Sequence, residues 1–214
     1  MRSADVLKVI QGSGIIAILR GVGEKNLLKT VEALAQAKVT AIEITFNTPG
    51  AKEAIALVKK EFGESVVVGA GTVINTVYAV QAIESGAEFV LAPNMDRDVI
   101  ATVHKHGKLM VPGAFTPTEI LACYTLGCNV VKVFPAGSVG PKYIKEVRGP
   151  FDHVDLIPVG GVDIGNVREF MKAGALAVGV GGNLARKDLI AAGDFRGITA
   201  LATEYMNEIG QGRA

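Results

Sequence analysis

Residues 108–135 read KLMVPGAFTPTEILACYTLGCNVVKVFP. Two short valine-rich runs, KLMVPG (108–113) and NVVKVFP (129–135), flank TPTEILACYTLG (116–127), whose apolar residues recur at helical spacing. Pro117 suits a first helical turn and Gly127 a helix end. The stretch therefore reads strand, helix, strand, and the same rhythm extends in both directions. Further strand-like runs are GIIAILR (14–20), AIEITF (41–46), VVVGAGT (66–72), FVLAP (89–93), DLIPVGG (155–161) and ALAVGVGG (175–182). Helical patterns lie between them, with Asn75 and Asp163 as candidate caps and Gly86 and Gly174 as candidate stops.

Near-continuous apolar strands alternating with helices imply a parallel sheet covered on its outer face. About eight units, with no linker or shift in composition, predict a single (β/α)8 TIM barrel over 1–214, an α/β fold that usually takes ~250 residues. The opening ADVLKVIQ (4–11) reads as an extra N-terminal helix at the bottom of the barrel. An open doubly wound sheet is the competing fold. It would carry a glycine-rich phosphate loop after the first strand, which LRGVGE (19–24) matches poorly. Pro158 is awkward in a central strand but lies near the end of its run.

Composition narrows the function. Apolar residues make up 49%, charged residues 20%, and the net charge is +1. That describes a globular chain with no electrostatic footprint for nucleic acid or an anionic membrane. No apolar run is long enough to span a bilayer, and MRSADVLKVIQGSG lacks a secretory signal, so a cytoplasmic location is expected. Cys123 and Cys128 make no disulfide framework. HKHG (104–107) has no carboxylate or cysteine in ligand spacing beside it, so it reads as a surface turn and no metal is expected. The tail GQGRA (210–214) reads as mobile.

Lys132 is the anomaly within NVVKVFP, because a buried ammonium is costly unless paired or deprotonated. Barrel active sites lie at the C-terminal strand ends. There Lys132, sharing a face with Val130 and Phe134, would meet Glu43 from AIEITF, Arg20, Thr72 and Pro93. Desolvation favours the neutral amine that attacks a carbonyl to form a Schiff base, while a nearby carboxylate opposes it. Glu43 is then the candidate proton shuttle. The plainer reading is a buried ion pair that only braces the barrel. Gly160 and Gly161 of PVGGV, with Gly181 and Gly182 of GVGGNL, allow backbone N–H groups to approach an anion, and Asn183 offers a side-chain amide.

These motifs, in order along nearly the whole chain, resemble one family. IEITF (42–46), VGAGTV (68–73), APN (92–94), VPGAFTPTE (111–119), VKVFPA (131–136), GPKYIKEVRGPF (140–151), PVGGV (158–162) and AVGVGGNL (177–184) carry the likeness. The family is that of 2-keto-3-deoxy-6-phosphogluconate (KDPG) aldolase, grouped with 4-hydroxy-2-oxoglutarate (KHG) aldolase. The resemblance implies a class I aldolase without metal or cofactor, a homotrimer of barrels, and cleavage of a phosphorylated keto acid to pyruvate and glyceraldehyde 3-phosphate. It places the Schiff-base lysine on Lys132 and the general acid/base on Glu43. Thr72 falls near the pyruvate carboxylate, Phe134 and Pro93 on the pocket wall, and Gly160, Gly161, Gly181 and Gly182 on the phosphate.

Three positions depart from the family pattern. Asn47 stands where many members carry the arginine that grips the carboxylate, so Arg20 is expected to supply the guanidinium instead. Val159 replaces a threonine, and Asn183 a serine. 4-Hydroxy-2-oxoglutarate, cleaved to pyruvate and glyoxylate, is thus a further candidate substrate, the galactonate epimer an alternative one, and a non-aldolase phosphate-binding barrel an alternative class.

Overall fold

The computed structural model describes residues 1–213. In chain order the elements are α1 (Ser3–Ser13), β1 (Ile15–Leu19), α2 (Glu24–Gln36), β2 (Ala41–Thr45), α3 (Ala51–Phe62), β3 (Val67–Gly71) and α4 (Thr76–Glu84). There follow β4 (Phe89–Leu91), α5 (Arg97–Lys105), β5 (Leu109–Val111), β6 (Gly113–Ala114), α6 (Pro117–Thr125), β7 (Val130–Val133) and α7 (Gly140–Arg148). The chain continues through β8 (Asp155–Pro158), α8 (Val167–Lys172), β9 (Val178–Val180), α9 (Lys187–Ala192) and α10 (Phe195–Arg213).

The strands form a curled six-stranded parallel sheet, ordered β5-β4-β3-β2-β1-β9, and a three-stranded parallel sheet, β6-β7-β8. The run KLMVPG is not one strand, as its sequence suggests. Pro112 has no N–H to give a ladder and separates β5, which pairs with β4, from β6, which pairs with β7. The two sheets meet at both seams. Lys132 N–H donates to Pro112 O at 2.9 Å, and a single parallel bridge joins Val159 to Gly179.

Burial on both faces explains the near-continuous apolar strands. One face packs against the helices, with Ile42, Val68, Val131 and Leu156 in that layer. The other lines the interior, where Ile16, Ile18, Ala41, Val67, Phe89, Val130 and Ile157 meet. Val6 and Ile10 of α1 close the interior from below, as expected of the extra helix. Inward glycines accommodate large neighbours: a Cβ on Gly69 would lie 2.4 Å from the Phe89 ring.

Helix signals hold in most places. Asn75 Oδ1 accepts from Tyr78 N at 2.8 Å, and Thr116 with Glu119 makes a capping box ahead of Pro117. Asp163 is not the cap of α8; its carboxylate accepts from Gly165 N in a turn, and the helix begins after Asn166. The tail is also better held than its composition suggests. α10 runs through Arg213, whose guanidinium donates to Gly12 O and Leu176 O at 3.3 and 3.2 Å; Ala214 lies outside the described residues. HKHG forms the end of α5 and the turn beyond it, and among the described residues no His, Cys, Asp and Glu cluster could hold a metal. Among the described residues no helix is long and apolar enough to cross a membrane.

Gly69→Ala drives a methyl into the Phe89 ring and should destabilise the fold by about 1–3 kcal/mol, the usual range for overpacking. Urea unfolding checks this; an unchanged midpoint would mean that the interior is looser than the geometry indicates.

Candidate active site

The inward face of each strand ends at one mouth. Glu43 belongs to β2 and Lys132 to β7, so each is carried on a rigid strand whose own neighbours are fixed by the ladder: Glu43 stands opposite Ile18 and Gly69, Lys132 opposite Gly113 and Ile157. Both are deeply buried, Glu43 at 1% and Lys132 at 5% exposure. The carboxylate fits only because residue 71 is glycine. A Cβ there would lie 1.6 Å from Glu43 Oε1. Gly71 is a requirement of the site that its motif, GAGT, signals only through the family likeness.

Burial governs the charge of both groups. Desolvation pushes the Glu43 carboxyl above its ordinary 4.5, against the opposing pull of Lys132 and Arg20. Desolvation likewise holds the Lys132 amine below its ordinary 10.5; Glu43 opposes this and Arg20 reinforces it. The two side chains form no direct ion pair among the described residues, and Glu43 Oε2 is buried with no hydrogen-bond partner. Lys132 Nζ sits 5.0 Å from the Phe134 ring centroid, a cation–π distance for whatever fraction is protonated.

The other expected residues stand at or just beyond the ends of neighbouring strands. Arg20 follows β1 directly and influences both groups by charge. Thr72 follows β3 in the left-handed region, φ 58°, an uncommon conformation for a non-glycine residue. Pro93 follows β4, and a Cβ on Gly113 would lie 2.3 Å from its backbone, so β6 packs tightly beneath it. Asn47 is exposed in the turn after β2. There Thr48 accepts from Gly21 N at 3.1 Å and bonds the Thr45 hydroxyl at 3.1 Å, latching the loop beyond Arg20 onto β2.

A cleft of about 370 Å³ opens beside the pair and brings together Arg20, Phe134, Gly160, Gly161, Gly181, Gly182 and Asn183. Gly160 and Gly161 both have positive φ, 84° and 79°, which turn the chain sharply after β8. Among the described residues no backbone hydrogen bond uses the N–H of Gly161, Val162, Gly182 or Asn183. Asn183 Nδ2 donates to Val162 O at 2.9 Å and ties the two glycine turns together, while its second N–H and its Oδ1 make no hydrogen bond among the described residues. Lys187 also lines the cleft, and no sequence motif singles it out.

A larger, mainly apolar groove of about 550 Å³ lies between α2 and α3, away from Lys132 and Glu43. It contains none of the residues expected at the site.

Fold and site together define a class: a parallel α/β protein whose strand ends enclose a desolvated lysine and carboxylate beside a glycine-walled cleft. The sequence model of the family described as KDPG and KHG aldolase matches residues 6–201. The chain belongs to that family. It is 32% identical to 2-dehydro-3-deoxy-6-phosphogalactonate aldolase of Escherichia coli K12, over 80% of this chain and 84% of that one. It is 33% identical to 2-dehydro-3-deoxy-phosphogluconate aldolase of Treponema pallidum, over 87% and 89%. Among solved structures, KDPG aldolase from Legionella pneumophila, with pyruvate captured as a covalent carbinolamine intermediate, superposes with a TM-score of 0.85 at 26% identity, covering 92% of this chain and 96% of that one.

The raised Glu43 pKa has a consequence for stability. Below the ordinary carboxylate range both folded and unfolded chains carry the proton and burial costs no charge. As pH rises the unfolded chain ionises first, so Glu43's contribution is lost progressively until the folded carboxyl ionises too. Glu43→Gln removes that loss. The variant's Tm advantage should therefore grow as pH rises above about 4, the unfolded value; a pH-independent difference would contradict the buried, proton-favouring site.

Proposed function

We propose that this chain is a class I aldolase that cleaves 2-keto-3-deoxy-6-phosphogluconate to pyruvate and glyceraldehyde 3-phosphate, with Lys132 as nucleophile. The observation that carries this reading is the buried amine, held toward its neutral form, beside a carboxyl held toward its own. Family membership and the carbinolamine on the Legionella relative support it.

The chemistry follows from the geometry. Neutral Lys132 Nζ attacks the C2 ketone; the neutral Glu43 carboxyl gives its proton to the departing carbinolamine hydroxyl, so that water leaves, Glu43 becomes a carboxylate and an iminium forms, which draws electrons from the C3–C4 bond. Glu43 takes the proton of the C4 hydroxyl, the bond breaks, and glyceraldehyde 3-phosphate leaves. The enamine that remains accepts a proton at C3 from the same carboxyl, and water then releases pyruvate and restores the amine. Arg20 and Thr72 hold the carboxylate, Phe134 and Pro93 wall the pocket, and the unpaired N–H groups of the glycine turns receive the phosphate. A carboxylate needs a charged or donor-rich partner, and with Asn47 exposed in its turn Arg20 is the guanidinium at hand. The alternative substrate, the galactonate epimer, draws support from the E. coli relative's name and from Val159 in place of a hydroxyl. Comparing kcat/KM for the two epimers decides between them.

The same reading takes the two sheets as one closed (β/α)8 barrel, supported by the hydrogen bonds at both seams. It takes residues 1–214 as one domain, acting in the cytoplasm. It takes the assembly as a homotrimer, supported by the exposed side chains of Ile74 and Val77 and by the apolar groove between α2 and α3. Sedimentation at micromolar concentration tests the last point; a monomer would remove it.

Borohydride reduction in the presence of pyruvate should leave a covalent adduct on Lys132 and none in Lys132→Met. An unlabelled Lys132 in the native chain would exclude the mechanism. Glu43→Gln should keep the adduct yet lose ~10²–10⁴-fold in kcat, the usual contribution of a general acid/base. Arg20→Ala should raise the KM for pyruvate in the condensation direction sharply, and an unchanged KM would remove Arg20 from the carboxylate site.

A further inference from the structure

The glycine cleft has two cations on its wall, Arg20 and Lys187, and no carboxylate. Their circumstances differ. Arg20 stands close enough to Glu43 and Lys132 to act on both by charge, which suits the carboxylate end of a substrate. Lys187 begins α9, just beyond the turn that follows β9 and carries Asn183.

That turn is well fixed. Leu184 N and Ala185 N both donate to Gly181 O at 2.9 Å, and Asn183 Nδ2 ties it to Val162 O. The adjacent cation is already committed: Arg186 donates to Asp188 through Nε at 3.1 Å and through its terminal nitrogen at 2.5 Å. No ion pair engages Lys187 among the described residues, and its side chain is exposed at the cleft's edge. The chain thus presents one neutralised and one free cation side by side, and the free one lines the cleft.

Backbone N–H groups can receive phosphate oxygens, but they bring no net charge to a group that carries about −1.5 to −2 at neutral pH. A lysine ammonium, a compact point charge on a flexible stem, supplies it without a fixed approach geometry. We propose that Lys187 is a specificity-determining residue that neutralises the substrate's phosphate and sets the preference for phosphorylated over unphosphorylated sugar acids. This rests on the aldolase reading above and goes beyond it by separating the two anionic ends of the substrate between two cations, Arg20 for the carboxylate and Lys187 for the phosphate.

The test compares KDPG with its unphosphorylated counterpart, 2-keto-3-deoxygluconate, in the full-length chain. Lys187→Met should lower kcat/KM for KDPG roughly tenfold, the low end for a charge-assisted hydrogen bond at an exposed site, with most of the change in KM. The unphosphorylated substrate should be unaffected, and Lys187→Arg should restore most of the loss. Inorganic phosphate, as a competitive inhibitor, should bind more weakly to Lys187→Met by a similar factor. Equal losses on both substrates, or none on either, would overturn the assignment. The outcome also separates the two levels of inference. If Lys132 is trapped by pyruvate but Lys187→Met behaves as the native chain does, only the phosphate assignment fails. If the native chain neither traps pyruvate nor turns over either substrate, the aldolase reading fails first.

Discussion

Desolvation of one amine is the constraint on which the site depends. Lys132 is carried by a strand whose backbone is bonded on both sides, so its side chain cannot leave the interior without breaking the ladder. Besides the charges of Glu43 and Arg20, its neighbours include Phe134, Ile157 and the glycine of β6, none of which hydrates an ammonium. The protonated form loses most of its water there and the neutral form loses little, which is why burial outweighs the attraction of Glu43. A carbonyl electrophile needs the neutral form. On the proposed reading, the fold thereby favours the nucleophilic form of Lys132 before any substrate arrives.

The parallel arrangement determines what surrounds that nucleophile. Every strand runs in the same sense, so all the loops that follow strands gather at one end, and residues distant in sequence become neighbours: Arg20, Glu43, Thr72, Pro93 and Lys132 leave five different strands. Glycine controls how closely they approach. Gly71 makes room for the Glu43 carboxylate, Gly69 for the Phe89 ring, and Gly113 for the backbone at Pro93. These are three demands at three inward positions. Without them the interior would be too full to admit an ionisable group.

Period and punctuation made much of this legible in the sequence. Apolar runs of strand length, separated by helical patterns closed by Gly86, Gly127 and Gly174, gave the alternation and the common mouth; all three glycines have positive φ just past their helices. Lys132 and Glu43 stood out because charge inside an apolar run is rare. What stayed hidden depended on pairing rather than pattern. A strand broken by Pro112 looks continuous until its two halves are seen to bond different neighbours. The tail looked loose because glycine and arginine are poor core formers, yet Arg213 finds carbonyls on α1 and before β9. The bond from Asn183 to Val162 O was equally hidden, because the two turns it joins come together only in three dimensions.

The remaining question is whether Lys132 and Glu43 simply brace the fold. A structural ion pair in a low-dielectric interior offsets its desolvation only when the partners touch and the remaining hydrogen-bonding capacity is filled. Neither condition is met. The two groups make no direct pair, and Glu43 Oε2 is enclosed without any donor. Leaving a buried acceptor unsatisfied costs about 1–3 kcal/mol, more when it is charged. As a brace the arrangement would weaken the fold. As a proton shuttle it has a use for the vacant oxygen, because a substrate hydroxyl between the two groups supplies the missing donor and is the proton source that the cleavage requires. The unsatisfied acceptor is thus better understood as half of a hydrogen bond whose other half arrives with the ligand.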